Sequence, residues 1–105
     1  MYFTSFLQNG VLTVALTGEI DHQCAKNYID AVASKIEVYA PGECVLDFEQ
    51  VSFMDSSGIA VAINALRNMT RIGGDLILAD LNSQPMKVFH ASGIDKLVNI
   101  KETVS

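Results

Sequence analysis

Apolar and polar positions along this chain switch between two periods, and each switch marks an element. Tyr2 to Leu7 is rich in aromatics and Thr, which suits a strand. Val11 to Thr17 forms a second run, denser in apolar residues than strict alternation, as for an interior strand covered on much of both faces. Between them stands Gln8-Asn9-Gly10, and Asn-Gly accepts the positive φ of a hairpin turn. Gly18-Glu19-Ile20-Asp21 then breaks the strand. Asp21 is a good N-cap for a helix carrying Ala25, Tyr28, Ile29, Val32, Ile36 and Tyr39 on one side. Pro41-Gly42 ends that helix.

Cys44 to Phe48 reads as a third strand, with Glu49-Gln50 as a short connection. A small polar knot follows, Asp55-Ser56-Ser57-Gly58, flanked by Val51-Ser52-Phe53-Met54 and Ile59-Ala60-Val61. From Ile59 the apolar residues recur as Ala62, Ile63, Leu66 and Met69, which is helical spacing. The second helix is therefore expected from Ser57 to Arg71, stopped by Gly73-Gly74. Asp75 to Asp80 is the fourth strand. Asn82-Ser83-Gln84-Pro85 supplies caps and a first-turn proline for a third helix bearing Met86, Phe89 and His90, with Ser92-Gly93 as its stop. Ile94, Leu97, Val98 and Ile100 lead into a short last strand, and Lys101 to Ser105 reads as a polar tail.

The order is β-β-α-β-α-β-α-(β). Helical crossovers are right-handed and force the later strands to pair in parallel. The expected class is α/β: a mixed sheet of four to five strands with an opening hairpin, covered by three to four helices.

The 105 residues fit one domain, 1–105, and half of them are hydrophobic, enough for a core. The net charge of -5 argues against a nucleic-acid binder, which needs a basic patch. No run of about 18 apolar residues suggests a membrane span. Met1-Tyr2-Phe3-Thr4 lacks the basic start and apolar core of a signal peptide, so the expected compartment is the cytoplasm. Cys24 and Cys44 form no CxxC pair and are expected as free thiols.

The knot sits where a strand hands over to a helix. Asp and Ser there can accept hydrogen bonds from orphan backbone N–H groups, and a helix start also tolerates a phosphate. Two readings of Ser56 are open on the residues alone: an N-cap and a modification site. Ser57 reads as a cap or first-turn residue, Asp55 as a turn or cap residue, and Gly58 as a point of close approach. His22 and His90 raise the thought of a Ser-His-Asp hydrolase, but Asp-Ser-Ser-Gly is not the Gly-x-Ser-x-Gly elbow. No histidine or carboxylate pair has helical ligand spacing, so no metal is expected, and no Gly-x-x-x-x-Gly-Lys-Ser/Thr loop supports nucleotide binding. No cofactor is expected.

With the elements placed, the sequence resembles a STAS domain of the anti-sigma factor antagonist family. Leu16-Thr17-Gly18-Glu19-Ile20-Asp21-His22 resembles the family's turn from strand two into helix one. Val51 to Ile59 resembles its phosphorylation block almost residue for residue. Arg71-Ile72-Gly73-Gly74, Pro85-Met86-Lys87-Val88-Phe89 and Ser92-Gly93-Ile94 are similar to later segments. Relatives often carry a further helix after the last strand; the sequence here stops at Ser105, so that helix is either trimmed away or is absent or very short.

The resemblance implies a non-enzymatic regulator. Unphosphorylated, it would bind an anti-sigma factor that is itself a serine kinase and so free the sigma factor. Phosphorylation, which maps to Ser56, would break the complex, and a serine phosphatase would restore it. Gly18, Glu19, Asp21, His22, Met54, Asp55, Ser57 and Gly58 would form the partner-binding surface or the surroundings of the phosphosite. The alternative is a STAS domain with another client, in a different partner-switching pathway or a transporter-associated complex.

Overall fold

The computed structural model describes residues 2–102, with Tyr2 through its backbone only; the last residues of the expected polar tail, 103–105, lie outside the described residues. Strand β1 (Tyr2–Gln8) turns at Asn9-Gly10 and returns antiparallel as β2 (Val11–Ile20). Asn9 and Gly10 both take positive φ, 53° and 78°, as the two-residue hairpin requires. Helix α1 (His22–Tyr39) crosses to β3 (Glu43–Met54), and α2 (Ser57–Arg71) crosses to β4 (Asp75–Ala79). Helix α3 (Ser83–Ser92) and a short 3-10 turn (Ile94–Lys96) lead to β5 (Asn99–Lys101). The sheet order is β1-β2-β3-β4-β5, parallel from β2 onward. The expected mixed α/β sheet is present, with five strands and three α-helices among the described residues.

Two strands are longer than their patterns suggest. Gly18-Glu19-Ile20 does not break β2, and β3 continues through Glu49-Gln50 to Met54. The reason is a pair of β-bulges. From the Ala15–Asp47 pair to the Thr17–Gln50 pair, β2 advances by two residues and β3 by three; from Gly18–Val51 to Glu19–Phe53 they advance by one and two. Each bulge inserts an extra residue and spoils the period-2 signal. Gly18 lies between the bulges at φ 95°, a conformation suited to glycine.

The core forms where Leu12, Val14 and Leu16 of β2 and Cys44, Leu46 and Phe48 of β3 meet the helices. Tyr28, Val32 and Ile36 of α1 are buried as expected, but Tyr39, the last residue of the helix, is 43% exposed. Helix α2 is turned from its expected face: Val61 and Ala65 are buried with Ala62 and Met69, while Ile59, Ile63 and Leu66 are half-buried. Small Ala62 and Ala65 let α2 lie close to its neighbours, which leaves the larger residues at the margin. Phe89 of α3 meets Phe48 edge-to-face, with ring centroids 5.4 Å apart. That contact seats α3 against the distal half of β3.

Candidate functional site

The turn between β3 and α2 is built by Asp55. Its Oδ1 accepts the Ser57 N–H at 2.8 Å, its carbonyl accepts the Gly58 N–H at 3.0 Å, and its own N–H donates to Ile20 O at 3.1 Å. The last bond ties the turn to the end of β2. Ser56 is the boundary residue of α2, yet its backbone is helical (φ -62°, ψ -17°) and its side chain makes no capping hydrogen bond. Asp55 does the capping one residue earlier. The Ser56 side chain is exposed. Ser57 is half-buried in the first turn as a donor to Asp55, and no capping bond from its hydroxyl is present.

The first N–H groups of α2 are all engaged. Ser57 N–H goes to the Asp55 carboxylate, Gly58 N–H to Asp55 O, and Ile59 N–H to Ser56 O at 3.1 Å. A phosphate at this helix start would find these groups taken, and only the field of the helix start remains available to it. Gly58 is buried, and the close approach it permits is to Met54 rather than to another backbone. A Cβ on Gly58 would stand 2.8 Å from both Cε and Sδ of Met54. Met54 itself is fully buried and supports the turn from below, so it cannot be a direct contact for a partner.

The Gly18–His22 segment lies alongside. Glu19 and Ile20 pair with Phe53 and Met54, which brings two motifs more than thirty residues apart in sequence to one end of the sheet. Gly18, Glu19 and His22 are exposed there. Asp21 caps α1: Oδ1 accepts the N–H groups of Gln23 and Cys24, each at 3.0 Å. The Cys24 thiol closes the box by accepting the Asp21 N–H at 3.4 Å and donates to Glu19 O at 3.3 Å. The Cys24 thiol first, then the backbone N–H groups, hold the Asp21 carboxyl below its ordinary value of 3.8. Thus Asp21 is a capping residue, and Cys24 is a partner to it that its spacing alone did not reveal.

Beyond Asp47, no strand among the described residues pairs with β3 on its β4 side, because β4 ends at Ala79. Two side-chain amides at the start of α3 replace the missing strand. Asn82 Nδ2 donates to Glu49 O at 3.0 Å and Val51 O at 2.9 Å. Gln84 Oε1 accepts the Met54 N–H and its Nε2 donates to Met54 O, both at 2.9 Å. Asn82 therefore makes no side-chain cap for α3, contrary to its sequence reading. Residues so far from Met54 in sequence carry no local signal of this contact.

Asp47, Glu49 and Asp80 bring one carboxylate oxygen each within 4.8 Å of the others, at the first bulge. One oxygen of Asp47 accepts the Glu49 N–H at 2.9 Å. His90, on the outer side of α3, pairs with Asp95 at 2.8 Å and lies 79% exposed. His22 is at the start of α1, and among the described residues no hydrogen bond joins either histidine to Ser56.

A five-stranded mixed sheet whose end presents an exposed serine at a helix start is the arrangement of a STAS domain. A family model for the STAS domain matches residues 5–105, and the chain belongs to that family. Its similarity runs to the anti-sigma factor antagonists. The anti-sigma F factor antagonist of Paenibacillus polymyxa is 30% identical over 91 residues, covering 87% of this chain and 78% of the relative. The solved anti-sigma factor antagonist SpoIIAA, in its unphosphorylated form, superposes with a TM-score of 0.84 at 25% identity, covering 99% of this chain and 90% of that one. SpoIIAA of Bacillus in its phosphorylated form gives 0.76 at 25% identity, covering 99% and 93%.

Proposed function

We propose that this chain is a cytoplasmic anti-sigma factor antagonist switched at Ser56. Unphosphorylated, it binds an anti-sigma factor that is a serine kinase, and the sigma factor is released. Phosphorylation of Ser56 ends the complex, and a serine phosphatase restores it. The relatives' names support the role, and SpoIIAA is known in both an unphosphorylated and a phosphorylated form. The observation that carries the assignment to Ser56 is its exposed hydroxyl, relieved of capping by Asp55.

A phosphate adds about -1.5 to -2 charges. With the nearby N–H groups engaged, it would project outward, favoured by the helix field and opposed by Asp55. The fold has little reason to change, so the partner reads the charge directly. Exposed Gly18, Glu19 and His22 form the neighbouring contact surface in this scheme. The chain contributes no catalysis; the kinase and phosphatase do.

The test is incubation with ATP and the serine-kinase anti-sigma factor of the same organism, read by intact-mass spectrometry. One phosphate is expected on the parent and none on Ser56→Ala. Equal labelling of the two proteins would refute the assignment.

A further inference from the structure

The two edges of the sheet are finished differently. β5 (Asn99–Lys101) is three residues long and carries Lys101, which blunts it against further pairing. β1 (Tyr2–Gln8) is seven residues long and holds neither proline nor a charged side chain. Its register with β2 runs from Tyr2–Thr17 to Gln8–Val11 without a shift, so no bulge bends it away. No strand among the described residues pairs with its outer side. Phe6 is 58% exposed and Leu7 43%, so apolar surface flanks this edge. Proline, charge and bulge, the usual guards of a sheet edge, are all missing from β1.

The hairpin turn fixes which backbone groups are free. Asn9 and Gly10, at φ 53° and 78°, make a two-residue turn that Gln8 and Val11 close as a hydrogen-bonded pair. Such pairs alternate along the ladder, so Tyr2, Thr4 and Phe6 also bond inward to β2. Phe3, Ser5 and Leu7 therefore point their N–H and C=O groups outward. Antiparallel pairing of two β1 strands about a two-fold axis at Ser5 satisfies all three residues. Ser5 meets the partner's Ser5, and Phe3 meets the partner's Leu7. Thr4 and the partner's Phe6 then stand opposite each other on one face, a favourable cross-strand pair.

Charge selects the occupant. The chain carries a net charge of -5, yet its first charged side chain is Glu19, so the β1–β2 hairpin is uncharged as far as Gly18. Two acidic copies repel least where charge is absent. Such an edge offers nothing to a charged peptide, whereas it matches a second copy of itself group for group.

We propose that β1 is a self-association edge: two copies pair antiparallel through Phe3, Ser5 and Leu7 into one sheet that crosses the dimer. The contact is isologous and closes, because the other edge of each copy is the blunted β5. The pairing uses no residue of the β3–α2 turn, so it stands or falls independently of the Ser56 switch.

The experiment is sedimentation velocity of this chain across the micromolar range, where a concentration-dependent dimer is expected. Ser5→Pro removes an outward N–H, and Ser5→Lys sets two ammonium groups against each other at the axis. Each should weaken the dimer roughly tenfold or more, with native circular dichroism, because the bonds to β2 are untouched. Cysteines read the register. In a hydrogen-bonded antiparallel pair the Cα atoms stand about 5.5 Å apart, within reach of a disulfide. Under mild oxidation Ser5→Cys should link two copies at the substituted position, and peptide mapping separates that bond from any at Cys24 or Cys44. Thr4→Cys, offset from its own counterpart, should link several-fold more slowly.

A monomer throughout the range overturns the proposal. So does a dimer that both Ser5 variants retain, which would place the contact on another surface. Should Ser5→Pro lose its native spectrum, Ser5→Lys and the cross-link decide. Linking of Thr4→Cys as fast as Ser5→Cys overturns the two-fold pairing at Ser5. A dimer that does not dissociate on dilution would indicate exchange of whole hairpins between copies and overturns edge pairing as well.

Discussion

The side-chain amide of Gln84 closes on both backbone groups of Met54, donating to its carbonyl and accepting its N–H at 2.9 Å each. It stands in for the strand that β4 does not supply. The turn that presents Ser56 is thereby held from three directions: by Ile20 at the end of β2, by Gln84 on α3 and by Met54 under Gly58.

Removing that amide exposes a clear cost. Gln84→Leu keeps most of the volume but leaves the Met54 N–H and C=O unpartnered in a part-buried place. Each unsatisfied group costs about 1–3 kcal/mol. The expected loss is about 2 kcal/mol in urea unfolding, with faster hydrogen exchange at Met54. Protection at Met54 equal to the parent's would show that another group takes over.

Ser56 and Asp55 are expected to differ in a way their residue types do not suggest. Ser56→Ala removes a hydroxyl with no capping bond and should change stability by less than about 0.5 kcal/mol. Asp55→Ala removes the acceptor of the Ser57 N–H and should cost about 1 kcal/mol. Chemical denaturation of the two variants decides it; a larger loss at Ser56 would reverse the capping assignment.

Gly58→Ala sets two effects against each other. Alanine gains about 1 kcal/mol of helix propensity over glycine. Its Cβ would press on Met54 Cε and Sδ at 2.8 Å and Cβ at 3.2 Å, and Met54 is fully buried. Overpacking of about 1–3 kcal/mol should win, for a net loss of about 1 kcal/mol. In a Met54→Ala background the same change should stabilise. A double-mutant cycle reads the sign of that coupling.

Asp21 gives a pH signature. Its folded carboxyl lies below the ordinary 3.8, so the unfolded chain takes up its proton first as pH falls. Its contribution is complete above 3.8 and is lost as pH drops through the lower folded value. The gap in urea midpoint between parent and Asp21→Ala should be constant from neutral pH down to about that point, then close in more acidic buffer. A gap that widens there would contradict the sign.

The two thiols should react unequally. Burial pushes the Cys44 thiol up to about 12, in a core position with no exposure. Cys24 is half-buried at the start of α1. Alkylation of the native protein at neutral pH should mark Cys24 well before Cys44, and both equally in denaturant.

Local signals alone determined most of the architecture. Asn9-Gly10 specified the hairpin, Asp21 the start of α1, and Gly73 in positive φ the stop after α2, because each depends only on backbone preferences within a few residues. The order of elements then determined the parallel crossovers, and the Asp-Ser-Ser-Gly knot was placed at its strand–helix junction. What the tertiary structure decided lies where distant segments meet. The two bulges that extend β3 appear only against β2, since alternation within β3 is lost there. The clamp of Asn82 and Gln84 on β3, the rotation of α2 toward Val61 and Ala65, and the transfer of the cap from Ser56 to Asp55 are settled by packing and hydrogen-bond satisfaction. Each requires knowing which backbone groups another segment has already satisfied, and a linear sequence does not carry that account.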